Sequence, residues 1–150
     1  YFCTPLAAEF VGRIGCDGVH FVLLPGDERV FCVDPSMGEV GKYVLPVGSD
    51  FREFLSFVLF CRDANPLSQI WWLPEERFRN LLVEDAAARA EGNLAEFFAA
   101  NDAACARIAE VVGLSPTEPY EKVRALQKAF GPGILKFSDE YYDALGIERE

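Results

Sequence analysis

Three short runs of β-branched and aromatic residues crowd the first third of the chain, at positions 19–24, 29–34 and 42–47. After residue 48 such runs give way to apolar residues at helical spacing. Strands gathered ahead of helices argue against an alternating βαβ plan and a parallel sheet. The order predicts an α+β fold: a mixed, mainly antiparallel sheet flanked by helices, with a helix-rich C-terminal half. The 150 residues suit one domain, with the sheet and core helix over about 10–83 and the helical part over about 84–150.

The strand runs are nearly continuous in apolar character, which predicts central strands covered on both faces. Pro25-Gly26-Asp27-Glu28 separates the first two, giving an antiparallel hairpin with a loop longer than two residues. Pro46 lacks the N–H that a ladder needs, so the third run belongs at a sheet edge or a strand exit. Ahead of the sheet, residues 5–14 read as a helix. Thr4 would cap it, Pro5 suits its first turn, and Leu6, Phe10 and Ile14 form one stripe.

Asp50 and Glu53 form a D-x-x-E capping pattern at the start of the clearest helix. Phe51, Phe54, Leu55, Val58 and Leu59 make its apolar stripe, widened by Phe57 and Phe60, so it is expected to lie across the sheet. Asp63-Ala64-Asn65-Pro66 breaks it. Pro74-Glu75-Glu76 opens another helix, with Phe78, Leu81 and Leu82 inward. An Ala-rich stretch follows, broken near Gly92 and Asn93. A helix over 103–112 closes at Gly113, one over 120–130 stops at Gly131-Pro132-Gly133, and Ser138-Asp139-Glu140 opens a short last one.

The formal charge of −10 repels phosphate backbones and anionic lipid surfaces, which makes nucleic acid and membrane poor partners. No apolar run approaches the roughly 18–20 residues of a membrane helix. No charged, then apolar, secretory leader opens the chain, and because it begins at Tyr1 and not Met, further residues are expected upstream. The cysteines, Cys3, Cys16, Cys32, Cys61 and Cys105, are odd in number, lack C-x-x-C spacing and sit mostly in apolar company. They read as reduced, mostly buried thiols of a cytoplasmic protein, with no structural zinc site. A single histidine, His20, leaves no two-histidine metal motif, and no cofactor is expected.

P-loop, G-x-G-x-x-G and G-x-S-x-G patterns are all missing. His20 is the one candidate general base, with Cys16, Cys32, Cys61 or Asp17 as possible companions of a small hydrolase. Its place between Val19 and Phe21 favours a structural imidazole bonded to a neighbouring loop. Asp27, Glu28, Asp34 and Glu39 gather at predicted strand ends, where the simplest reading is a solvated acidic rim. Trp71 and Trp72 are adjacent and cannot both face inward, so one is expected in the core and the other partly exposed as a contact residue. Tyr141 and Tyr142 read as helix packing.

Several segments, in order, resemble the SUKH superfamily, which includes the yeast cell-wall-assembly regulators and many bacterial proteins. The resemblance rests on Asp17-Gly18-Val19-His20-Phe21 before an apolar hairpin, and on Ser49-Asp50-Phe51-Arg52-Glu53-Phe54-Leu55 after the sheet. It continues through Gly113-Leu114 with Pro116, Pro119-Tyr120-Glu121-Lys122-Val123 and Glu140-Tyr141-Tyr142-Asp143, covering most of residues 10–145. It implies an α+β fold without enzymatic activity. For bacterial members it implies an immunity protein that binds and neutralises a toxin, often a nuclease. Charge is compatible with this, since an acidic protein meets a basic toxin domain quickly and can cover its phosphate-binding surface. The candidate contacts are Glu28, Asp34 and Glu39, with Trp72 as an aromatic anchor. A regulatory or scaffold module binding a cellular protein is the alternative, and a hydrolase built on His20 is a third.

Overall fold

The computed structural model describes residues 1–150 apart from Cys16, Gly38, Asn93 and Glu150. Four strands, β1 (Glu9–Arg13), β2 (His20–Leu24), β3 (Asp27–Val33) and β4 (Val44–Gly48), form one sheet in the order β1-β2-β3-β4. Every pairing is antiparallel, so the sheet has no parallel component. Six α-helices follow: α1 (Phe51–Cys61), α2 (Asn65–Gln69), α3 (Glu75–Ala90), α4 (Ala95–Val112), α5 (Tyr120–Ala129) and α6 (Asp139–Leu145). The fold is α+β, with the helices in the C-terminal half.

Alternation along β2 and β3 divides the core into two layers. Phe21, Val30 and Cys32 face one layer, where Phe54, Phe57, Leu67, Ile70, Phe78 and Val123 arrive from α1, α3, α5 and the α2 region. Val22, Phe31 and Val33 face the other, closed by Cys3, Tyr43, Val44 and Tyr141 with the terminal segments. The two central strands are thus covered on both faces, as their continuous apolar character requires. β4 is an edge strand, which accommodates Pro46, and α5 packs along it.

Two local expectations are corrected. Residues 5–14 hold no helix: Ala7 is left-handed (φ 59°), and Glu9–Arg13 pairs with β2. Phe10, Val11 and Gly12 are weak helix formers, and a lone helix of this length is marginal, whereas a strand here covers the open edge of β2. A bulge between Phe10 and Gly12 leaves Phe10 exposed and lets Val11 reach the helical core layer. The β2–β3 hairpin is also tighter than expected. Leu24 pairs with Asp27 across Pro25-Gly26 alone, Gly26 supplies the positive φ of the turn (75°), and a bulge next to Leu24 absorbs the extra residues.

The capping pattern before α1 works in both directions. Asp50 accepts from the Glu53 N–H (2.8 Å), and the Glu53 carboxylate accepts from the Ser49 N–H (2.9 Å). Arg62, left-handed at φ 60°, ends the helix. In α4 the helix begins well before residue 103 and runs to the left-handed cap Gly113. No residue of α4 is fully buried, and polar contacts join the half-buried Phe98, Cys105 and Ile108 in attaching it. Asp102 takes both Arg62 and Arg89, Arg89 also donates to the Arg62 carbonyl (3.0 Å), and Asn101 donates to that same carbonyl (2.9 Å).

Candidate functional site

His20 is buried, with each ring nitrogen engaged. A carbonyl only accepts, so Nδ1–H donates to Gly18 O (2.7 Å), and Nε2 is hydrogen-bonded to the Thr4 hydroxyl (3.1 Å). Tyr1 and Phe10 stack on the ring at 5.3 and 6.1 Å, and with Arg13, Asp17 and His20 itself they line an open pocket of about 600 Å³. No thiol or carboxylate bonds to the imidazole among the described residues. Thr4 therefore serves as a clamp for His20 and not as a helix cap.

The thiols carry the signature of burial. Desolvation pushes Cys3 up to about 11 and raises Cys32 and Cys61 strongly, and it also raises the half-buried Cys105. Protonated thiols of this kind are poor nucleophiles. The reading of Cys16 lies outside the described residues. Among the described residues no group of His, Cys, Asp and Glu is arranged to hold a metal, and no helix is long and apolar enough to cross a membrane.

The acidic candidates do not form one rim. Asp27 is tied to Arg29, whose guanidinium bonds both carboxylate oxygens and holds the group below its ordinary value. Glu28 is exposed near the hairpin tip, while Asp34 and Glu39 lie beyond the opposite end of β3. A seven-residue strand puts those ends roughly 20 Å apart. Asp34 is only 9% exposed, and its carboxylate accepts from the Ser36 N–H and hydroxyl at 2.9 and 2.6 Å. This turn removes Asp34 from the expected solvated rim. Glu39 remains exposed, and its carbonyl closes the loop on Lys42 N–H (3.1 Å).

Trp72 is exposed as expected, but Trp71 is half-buried and belongs to neither core layer. The Trp71 Nε1 is buried, whereas Trp72 is 53% exposed. The backbone that carries Trp72 is held from three sides. Trp72 N–H reaches Gln69 O (3.3 Å), Arg124 donates to Trp71 O, and Tyr120 Oη donates to Leu73 O (2.8 Å). An aromatic side chain on a backbone fixed this way loses little further freedom on binding. Trp71 shares a small cavity with Asp34 and Lys42, so the Trp72 turn lies at the Asp34 end of the sheet. The acidic first turn of α3, Glu75 and Glu76, follows directly in the chain.

Comparison with protein-family models, curated proteins and solved structures finds no match. The SUKH resemblance therefore rests on the sequence motifs alone. The clamp residues Tyr120 and Arg124 carry no local signal in the sequence, because they act 47 and 53 positions away from the carbonyls they hold. Tyr141 meets its packing expectation: it is buried and stacked on Phe137 at 3.9 Å.

Proposed function

We propose that this chain is a non-enzymatic protein-binding domain, an immunity protein of the SUKH type that neutralises a basic toxin domain by covering its active site. The observation that carries the protein-binding reading is Trp72, a large aromatic residue held out on a clamped turn beside the acidic start of α3. Buried Trp anchors are frequent hot spots of interfaces. The net charge of −10 supports a basic partner through steering. The hydrogen bonds of His20 to Gly18 O and the Thr4 hydroxyl, with no thiol or carboxylate on the ring among the described residues, support a structural imidazole. The toxin assignment itself is carried by the sequence resemblance.

The test is calorimetric titration with the toxin domain encoded beside this gene, at low and moderate salt, together with inhibition of that toxin. The expected result is inhibition, affinity that falls with salt, and at least about a tenfold loss on Trp72→Ala with the melting temperature unchanged. Binding that ignores both salt and Trp72→Ala would overturn the proposed surface. A toxin that remains fully active when bound would overturn the neutralising role.

A further inference from the structure

An acidic protein has little reason to collect cations in one groove, yet Lys42, Arg124 and Lys128 converge on a single open groove of about 460 Å³. None of the three has a carboxylate partner within ion-pair distance among the described residues, a state they share with Arg13, Arg52, Arg77 and Lys136; what sets them apart is that they line one groove. Two elements bring them together. Glu121, Arg124, Ala125 and Lys128 recur at i, i+3, i+4 and i+7, so they share one outer face of α5. Lys42 comes from the loop before β4, which α5 packs against.

The floor is apolar, made by Leu45, Trp71 and Ala125, and Glu121 is the one acid on the lining. Arg124 spends one guanidinium nitrogen on Trp71 O, which fixes its position and leaves further N–H donors for a ligand. Trp71 and Gln127 line both this groove and the small cavity beside Asp34, and their Nε1 and Oε1 atoms are buried without protein partners, so they are not themselves exposed to the groove. A pocket of this size with an apolar floor and convergent charges suits a small organic ligand.

We propose that this groove binds a phosphoryl dianion, with the apolar floor taking the organic group of a phosphate monoester. Three cations against one acid outmatch a single carboxylate and suit a doubly charged group. Arg supplies the planar fork that phosphate oxygens accept, and the lysines supply point charges on either side. The groove adjoins the turn that carries Trp72, with Arg124 common to both, and the proposal does not depend on the toxin reading.

The probe is phenyl phosphate, titrated into ¹⁵N-labelled protein, with inorganic phosphate and benzoate as parallel arms. The readout is the Trp71 indole N–H resonance, told apart from that of Trp72 by Trp72→Phe. A saturable shift with phenyl phosphate is expected, weakened about fivefold by Lys128→Gln and by Lys42→Gln, neither of which is buried. Arg124→Lys keeps the charge but loses the fork, and is expected to weaken binding while the spectrum stays dispersed. Phenyl phosphate binding tighter than inorganic phosphate assigns a monoester, and equal binding assigns the free ion. Benzoate binding as well as either phosphate would overturn the phosphoryl assignment. Shifts that grow linearly without saturation, or that ignore both lysine substitutions, would overturn the site.

Discussion

The attachment of α4 is the sharpest point at which the reasoning can be broken. α4 spans 18 residues with none buried, and Phe97 on it is 60% exposed. Its apolar burial is partial, limited to half-buried residues such as Phe98, Cys105 and Ile108, so the polar junction at the end of α1 carries much of the attachment. Arg89 is central there, with a side chain only 6% exposed. It pairs with Asp102 (3.1 Å), donates to Arg62 O (3.0 Å) and lies over the Phe98 ring at 4.7 Å. Arg89→Met keeps most of the aliphatic stem and deletes these contacts. Each charged hydrogen bond contributes about 1.5–3 kcal/mol and the cation–π contact about 0.5–1 kcal/mol. Asp102 keeps Arg62 and is 35% exposed, so the lower end applies and the loss is about 3 kcal/mol. That energy acts on α4 locally, because no residue of α4 belongs to either core layer on which β2 and β3 draw. Hydrogen exchange followed by mass spectrometry should show α4 amides losing protection by roughly a hundredfold while β2 and β3 amides hold theirs. Equal loss in α4 and the sheet would refute local attachment. A change in α4 of less than about threefold would refute the weight given to Arg89.

Three further outcomes follow from local geometry. Asp50→Ala removes the cap of α1 and should cost about 1 kcal/mol in denaturant unfolding, with Asp50→Asn recovering most of it. Gly48→Ala would set a Cβ 2.9 Å from the Phe54 Cβ and 3.1 Å from Asp50 O, so chemical denaturation should report a loss of about 1–3 kcal/mol even though alanine is small. Asp27 is depressed by the hydrogen bonds from Arg29, so its contribution is complete above the ordinary carboxylate value and is lost as pH falls through the lowered one; Arg29→Leu should flatten the acid limb of stability against pH and leave the neutral-to-alkaline limb unchanged in shape.

The parts of the fold legible in the sequence are those fixed by local chemistry. β2 and β3 announce themselves through Val, Phe and Leu between turn residues, and α1 through a reciprocal cap and an apolar face. β1 was hidden because its residues favour no structure strongly and its strand form depends on the vacant edge of β2. Leu6, Phe10 and Ile14 matched a helical stripe by spacing alone, although Leu6 and Phe10 are exposed. Asp34 was readable in principle: Asp-Pro-Ser places an acceptor two residues before a backbone N–H, the spacing of a side-chain turn. That signal was outweighed by counting acids. Tyr120, Arg124, Arg89 and Asp102 were not readable as contacts, since their partners are set by how helices pack and not by neighbours in the chain.

Charge shows how far a whole-chain number reaches. At physiological salt the Debye length is about 8 Å, so the −10 total acts mainly on the approach of a partner. Within contact distance the arrangement of individual side chains takes over. Asp34 counts toward the total but spends its carboxylate inside a turn, and Asp102 is shared between two arginines. Lys42, Arg124 and Lys128 count against the total yet stand together where no carboxylate offsets them within ion-pair distance. The same molecule can therefore attract cations at long range and hold an anion at short range, because the two interactions sample different distances.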